Sequence, residues 1–475
     1  MTDTAIGSAG VAPTVETAGL EQIREDQRHG HPRSLFGIWT STNLTLGAFV
    51  TGALGIQLGL SLWQAAIGLV LGAVLGALLI PVMSYVGFKL GIPQMLMTRP
   101  VFGFLGAVVP VVIAWLNFLG WFTILDVLGA MALQTAFGLP LVPGLIILSL
   151  ITIAIAVVGH DLVHTAEKWI AIVVGLVFVV LAVQSFGSVH WSYAGDPTVH
   201  GAARWGLFGL VVAIAFSYAG PGYTPYASDY TRYLPLNTRF RSIFAPSFLG
   251  MSISTSLAFL LGALMTTVDA KAGSTDLIGQ VAGGFKVPAM LALALGTVGA
   301  NIMNVYSGGL TALVAGFRVP RWVSALAIGV IGTALACWFR INFVSNYEQY
   351  LLLVLYTVPA MDALFLVDFY LVRKGRYEAR LFRAGQSGGP AVNPRAYIAY
   401  LLGMAVCVPF MSSTVYTGPI AKWLDGADLS YVVSMVVAGA VYYGLSRQAP
   451  PAVERVTVPG VRSQEDAGVA PAPTS

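Results

Sequence analysis

The chain has 475 residues, of which 56% are apolar and only 10% charged, and its mean hydropathy is +0.77. A soluble domain carries about 25% charged residues, so the composition excludes a soluble enzyme and leaves a polytopic membrane protein. The net charge of +4 does not point to nucleic acid, because the basic residues lie in short segments between apolar runs rather than on one face.

Residues 1–35 are polar and mixed in charge, without the basic start and short apolar core of a signal peptide, and read as a cytoplasmic tail. Runs of about 17–25 apolar residues mark membrane spans. Twelve follow: 36–61, 65–88, 105–135, 141–158, 168–186, 205–233, 244–268, 287–314, 322–339, 347–372, 396–414 and 429–445. The expected transmembrane domain is thus 36–446, followed by a disordered cytoplasmic tail at 447–475. With both ends inside, twenty of the twenty-five Lys and Arg fall on the cytoplasmic side, a strong positive-inside bias. The expected setting is the lipid bilayer of the plasma (inner) membrane, with no obligate protein partner evident.

The first span holds a glycine-rich stretch, Leu46 to Gly55, read as a helix interruption that includes Gly47 and Phe49. In the second, Gly68, Gly72 and Gly76 form small-xxx-small pairs, read as a packing seam. The third span exceeds the bilayer thickness, which implies tilt or interruption. It carries Gly120-Trp121-Phe122 and Asp126. Between spans four and five, His160 and His164 have the spacing of a helical metal pair but no third ligand, so they read as solvated loop histidines and no metal is expected. Cys337 and Cys407, both in apolar runs, support neither a disulfide framework nor a zinc site.

The sixth span carries the strongest signal. An apolar run to Phe216 continues without a loop into AGPGYTPYASDYTRYLP, residues 219–235. Gly220, Pro221, Gly222 and Pro225 release backbone hydrogen bonds, which membrane depth tolerates only where the freed groups meet protein, a cavity or a ligand. This break lies five spans after the first. Paired breaks in two five-span halves suggest an inverted repeat with substrate between them. The eighth span carries Asn301 and Asn304 on one helix face, together with Thr297, Ser307 and Thr311; the tenth carries Asp362 and Asp368. The segment 373–394 is a basic, glycine-rich loop, read as an orientation and lipid-headgroup anchor.

Pro225 to Pro235, Asn301 to Ser307, Gly120-Trp121-Phe122 and Val367-Asp368-Phe369-Tyr370 together resemble the nucleobase-cation-symport-1 transporters, purine and cytosine permease type. The resemblance implies an all-α leucine-transporter-like fold, a 5+5 inverted repeat with broken helices one and six and two peripheral helices. It also implies import of a nucleobase, cytosine or a purine, with a cation by alternating access. Allantoin, hydantoin, uracil and thiamine-like substrates stay open. A planar base needs stacking faces and a few edge hydrogen bonds. Trp121 matches the family's stacking tryptophan, Tyr223 stands where many relatives carry tryptophan, Tyr218 is the alternative face, and Phe49 closes the pocket. Asn301 and Asn304 suit a mixed donor and acceptor edge, with Ser217 and the freed backbone around Gly220 completing it. Sodium-coupled relatives place vicinal hydroxyls where this chain has Asn304 and Val305. Valine offers no oxygen, so the expected co-transported ion is H+, with Na+ open if Thr297, Ser307 or Thr311 substitutes. Asp126, Asp229 and Asp362 are the membrane carboxylates for a proton relay. Asp229 reads instead as a structural ion pair with Arg232, and Asp368 with Arg373. No organic cofactor is expected.

A membrane-embedded enzyme is disfavoured, since the chain has no HExxH, no phosphate-binding loop and no nucleophile beside a histidine in its spans. A channel predicts repeated polar rings along a pore; here polar residues gather at two breaks and one helix face.

Overall fold

A computed structural model describes residues 20–158, 160–316, 320–382 and 390–447. The readings of residues 1–19 and 448–475, and of the His160 and His164 side chains, lie outside the described residues. The helices are α1 Ser34–Ser41, α2 Leu46–Gln57, α3 Leu62–Ala77, α4 Leu79–Leu90, α5 Thr98–Phe102, α6 Val108–Phe137, α7 Leu141–Val158, α8 His160–Ser185 and α9 Ala202–Ala219. After the second break come α10 Phe240–Thr266, α11 Ser274–Ala282, α12 Lys286–Val314, α13 Arg321–Phe339, α14 Phe343–Leu366, α15 Pro394–Cys407, α16 Pro419–Trp423 and α17 Ser430–Ser446.

Among the described residues seven helices are long and apolar enough to cross a membrane, and five shorter apolar helices occupy the other expected positions, so each of the twelve spans has its helix. The outer surface is greasy: Leu150, Leu176 and Val183 on α7 and α8 are 63%, 64% and 71% exposed. Polar side chains such as Thr51, Ser217 and Asn304 lie inside, the distribution a lipid solvent imposes.

The inverted repeat is visible in the packing. Span one lies along span seven (α2 on α10), span six along span two (α9 on α3), and spans three and eight against each other (α6 on α12). Exchanging the first five spans for the second five returns the same pairs.

The break in span one is not where the glycines are. The helix is interrupted between Ser41 and Leu46, and the stretch from Leu46 to Gly55 is continuous helix. Its glycines serve close approach: a Cβ at Gly52 would coincide with the Phe259 carbonyl, and one at Gly262 with the Phe49 carbonyl, so α2 and α10 meet backbone to backbone. Polar side chains make the break instead. Asn43 Nδ2 donates to the Trp39 carbonyl at 2.7 Å, and Thr45 caps α2 by accepting from the Ala48 N–H. Span three is one unbroken helix of 30 residues. Span six stops at Ala219.

Two regions differ from the expected loops and tail. Between spans seven and eight stands α11, hidden in the sequence by its polar start Ser274-Thr275-Asp276. The N-terminal segment is docked from Gln22 onward. Ile23 N–H donates to the Gly91 carbonyl at 2.9 Å and His29 N–H to that of Tyr233 at 2.7 Å. Arg28 donates to the carbonyls of Phe88 and Leu234 at 2.9 and 3.0 Å. At the end of span ten Asp368 pairs with Arg373 at 3.1 Å, as expected, and also accepts from Tyr377 and Tyr442.

The glycines of span two press on span six as a seam. A Cβ on Gly76 would lie 2.7 Å from the Phe216 carbonyl and 2.8 Å from the Gly220 nitrogen, and at Gly72 it would overlap the backbone of Val212. Gly72→Val should therefore destabilise the protein by about 1–3 kcal/mol through overpacking, read as a lower melting temperature in detergent. Gly444→Ala, where nothing lies within 4 Å of the new Cβ, should leave it unchanged; equal losses in both would refute the seam.

Candidate functional site

The site forms where the two breaks face each other. α9 ends because Gly220 leaves helical geometry (φ −117°, ψ −87°) and Pro221 has no N–H to continue the ladder. The chain then turns tightly: Gly222 N–H donates to the Ser217 carbonyl at 2.8 Å, and the Tyr223 and Thr224 N–H groups to that of Gly220 at 2.8 and 3.0 Å. Across from it, Tyr223 Oη donates to the Thr42 carbonyl in the break of span one at 3.0 Å. Thr45 Oγ1 and Tyr218 Oη stand 3.2 Å apart. The tyrosines of one broken span thus satisfy the backbone and cap of the other.

Trp121 of α6 lies against this junction. Its ring centroid is 5.1 Å from Tyr218, edge to face, and 6.3 Å from Tyr223 with 32° between the planes. A Cβ on Gly222 would fall 3.0 Å from the indole, so only a glycine lets the break approach Trp121 this closely. A planar ring held between two others needs roughly 7–8 Å, two contacts of 3.5–4 Å. Trp121 and Tyr223 stand just short of that separation.

Behind the aromatic faces, α12 supplies the amides. Asn301 Nδ2 donates to the Phe122 carbonyl at 3.0 Å, and Asn304 Nδ2 to Asn301 Oδ1 at 3.2 Å. Asn301 is therefore spent on holding span three and Asn304. Among the described residues the Trp121 Nε1 donor and the Asn304 Oδ1 acceptor are buried without a hydrogen-bond partner, as are Trp39 Nε1, Thr40 Oγ1 and Asn43 Oδ1 at the break of span one. Such groups each cost about 1–3 kcal/mol when left unmet.

The other expected site residues are placed as follows. Gly47 is at the junction, its carbonyl accepting from Tyr347 Oη at 3.0 Å. Phe49 is wholly buried, with its carbonyl at the Gly262 seam. Ser217 Oγ donates to the Leu351 carbonyl at 2.6 Å and so ties α9 to α14. The coupling candidates are dispersed. Asp126, five residues and so nearly a half-turn off Trp121, accepts from Ser149 of α7 at 2.9 Å, and Ser149 from Thr333 of α13 at 2.6 Å. Thr297 Oγ1 donates to its own helix at Ala294, 2.7 Å away, Ser307 lies 3.4 Å from Tyr230 Oη, and Thr311 is buried. Asp229 accepts from the Gln94 N–H at 2.8 Å, and the wholly buried Arg232 donates to the hydroxyls of Tyr233 and Tyr306.

Three side chains that sequence reasoning did not single out complete the site. Asn117 Nδ2 donates to the Gly222 carbonyl at 3.4 Å, and Tyr350 Oη to the carbonyl and Oδ1 of Asn117 at 2.6 and 2.8 Å. Tyr347 and Tyr350 both place their rings edge-on to Trp121, at 6.4 and 5.3 Å. Asn117 is one helical turn before Trp121 on the same face, and that i, i+4 spacing was the available signal. The tyrosines, three apart at the start of span ten, share a face in the same way.

Residues 22–434 match the family described as permease for cytosine/purines, uracil, thiamine, allantoin. The chain is 29% identical over 443 residues to the putative purine-cytosine permease YxlA of Bacillus subtilis, covering 91% of this chain and 96% of that one. It is 26% identical over 452 residues to the purine-cytosine permease fcyB of Emericella nidulans, covering 90% and 87%. In fold it is similar to the nucleobase-cation-symport-1 family transporter Mhp1 in a closed conformation with bromovinylhydantoin bound. The TM-score there is 0.77 at 17% identity, over 92% of this chain and 96% of that one.

The unmatched Oδ1 makes Asn304 the sharpest test of the site. Asn304→Ala should raise the apparent KM for uptake roughly five- to a hundredfold, the equivalent of about 1–3 kcal/mol for one lost edge contact, at unchanged membrane abundance. A wild-type KM would return Asn304 to a purely structural role. For Trp121, Phe should retain more uptake than Ala because a smaller ring still stacks; equal loss in both speaks against stacking.

Proposed function

We propose that this chain, which belongs to the family of permeases for cytosine/purines, uracil, thiamine and allantoin, is a secondary-active symporter that imports a nucleobase, cytosine or a purine, with a coupled cation. It is a membrane transporter and not an enzyme. The observation that carries the substrate reading is the unmatched buried acceptor Asn304 Oδ1, on an amide pair anchored through Asn301 to Phe122, the residue next to Trp121. A flat ring with a donor on its edge meets this acceptor while its face stacks on Trp121, and cytosine and the aminopurines have such edges. The relatives named as purine-cytosine permeases support the same class.

In this reading Trp121 and Tyr223 supply the stacking faces, with Tyr218 edge-on. Asn304 reads the edge and Asn301 holds it in register. Gly47 and Gly220 bring backbone to the pocket, and Asp229 with Arg232 stabilises the inner end of span six. Both termini face the cytoplasm across the plasma membrane, which the distribution of Lys and Arg favours.

The coupled ion is a proton. Hard sodium takes several oxygen ligands, whereas Val305 interrupts the hydroxyl set in span eight and the remaining candidates point to separate partners.

Substrate choice is tested by competing labelled cytosine uptake with adenine, hypoxanthine, uracil and allantoin. Cytosine or a purine should compete most strongly, and displacement by allantoin alone would remove the nucleobase assignment. Proton coupling predicts that accumulation survives replacement of sodium by choline, collapses with a protonophore at matched membrane potential, and weakens as external pH rises. Sodium-stimulated substrate binding to purified protein without a pH gradient would send the assignment back to Thr297, Ser307 and Thr311.

A further inference from the structure

α14 reaches both broken spans and carries two buried acids, Glu348 in its first half and Asp362, the relay candidate of the sequence that the site above leaves without a role. Asp362 is 1% exposed and lies three residues after Pro359, inside the helix. Its Oδ2 accepts from Thr224 Oγ1 at 2.7 Å. Thr224 belongs to the break of span six, next to Tyr223 and two residues from the glycine pressed on Trp121. Asp362 therefore contacts the segment that must move when Trp121 and Tyr223 separate around a substrate.

The charged and titratable groups around it are otherwise engaged. From α15, Tyr400 gives its hydroxyl to the Thr357 carbonyl at 3.1 Å. On α17, Tyr442 is held by Asp368, and Asp368 by Arg373. Arg99 of α5 donates to the carbonyls of Val314 and Phe382, and Asp126 of α6 is bound to Ser149. α9 has Arg204 at its opposite end, donating to the Val199 carbonyl, and Tyr218, engaged with Thr45. Among the described residues Asp362 has no salt bridge with Lys, Arg or His. Burying a lone carboxylate at membrane depth costs more than one hydroxyl hydrogen bond returns, so a proton enters the closed arrangement with it.

We propose that Asp362 carries the coupled proton and that Thr224 is the positioning residue through which the span-six break senses it. The carboxyl takes up a proton from the side to which the site is open, closes against Thr224 with substrate bound, and releases the proton when the break rearranges toward the other side. Only the O–H bond is made and broken. Coupling requires that the two protonation states differ in their fit to the two conformations; Thr224 supplies that difference at the broken helix itself. Asp126 is instead hydrogen-bonded into the α6, α7 and α13 contact through Ser149 and Thr333.

This assignment rests on proton-driven import, and the experiment separates the two. The full-length protein is reconstituted in liposomes and loaded with the nucleobase that wild type exchanges best. Wild type under an inward gradient of one pH unit should reach about tenfold accumulation for one-to-one coupling. Wild-type exchange without gradient-driven accumulation would refute proton coupling and this proposal together, before any variant is compared. In Asp362→Asn the accumulation ratio should fall to about 1 while base-for-base exchange stays within roughly threefold of wild type, and Asp362→Glu should restore accumulation. Thr224→Val should keep accumulation but displace the pH of half-maximal uptake, which a packing role would not do. Wild-type accumulation in Asp362→Asn overturns the assignment, as does loss of exchange together with accumulation at normal abundance. Loss of accumulation in Asp126→Asn with Asp362→Asn intact overturns it too. Should Asp362→Asn fail to reach the membrane, unchanged pH profiles in both Asp362→Glu and Thr224→Val overturn it.

Discussion

Backbone released in the middle of an apolar bundle has to find partners, and here the two broken spans find them in each other. The hydroxyl of Tyr223 on the Thr42 carbonyl, with Tyr218 beside Thr45, closes that account. Without water at this depth each open group would cost several kcal/mol, so the breaks are affordable only as a pair. The position of every other site residue follows from that mutual contact. Gly222 is where the second break leans on Trp121, Asn117 takes up the Gly222 carbonyl, and Tyr350 in turn fixes Asn117.

The consequence is a polar interior with very little left over. Around the junction many donors and acceptors are matched within the protein, and among the described residues the buried atoms left over are Trp121 Nε1 and Asn304 Oδ1 together with Trp39 Nε1, Thr40 Oγ1 and Asn43 Oδ1 by the break of span one. A site built this way is selective by omission. A ligand that fails to answer one of these atoms leaves it unmet in a dry pocket, whereas the stacking faces accept any flat ring.

Much of this was legible in the chain. Span number follows from hydropathy, the span-six break from Gly-Pro-Gly, and the span-two seam from glycines four apart; each is a local property of composition. The break of span one was misplaced because glycine means two different things in membrane helices, and Gly47 to Gly55 use the other one, close approach to α10. The interruption came from Thr42, Asn43 and Thr45, whose capping role depends on which backbone groups lie within reach. Asp126 illustrates the same limit: its spacing from Trp121 fixes which face it occupies, but not that Ser149 and Thr333 wait there. Tyr347 and Tyr350 were missed because their importance comes from what α14 crosses rather than from any motif.

The contacts also divide by how readily they part. Gly52 with Phe259 and Gly262 with Phe49 bind spans one and seven, and Gly72 and Gly76 bind spans two and six, all through backbone in van der Waals contact. Sliding either surface forces overlap at its glycines, and with α3 also packed on α10 the four spans form one packed body. Spans three and eight, joined along α6 and α12, form the core of another. Between the two bodies the links are mostly single hydrogen bonds and edge-on rings, such as Asn117 to Gly222 and Trp121 to Tyr218. Single hydrogen bonds are worth about 1 kcal/mol each and can be exchanged one at a time. α14 bridges the divide, since it holds Gly47, Asn117, Ser217 and Thr224 through Tyr347, Tyr350, the Leu351 carbonyl and Asp362. Of those four links, the one from Asp362 to Thr224 is the one made by a carboxyl group, and it ends in the break of span six itself.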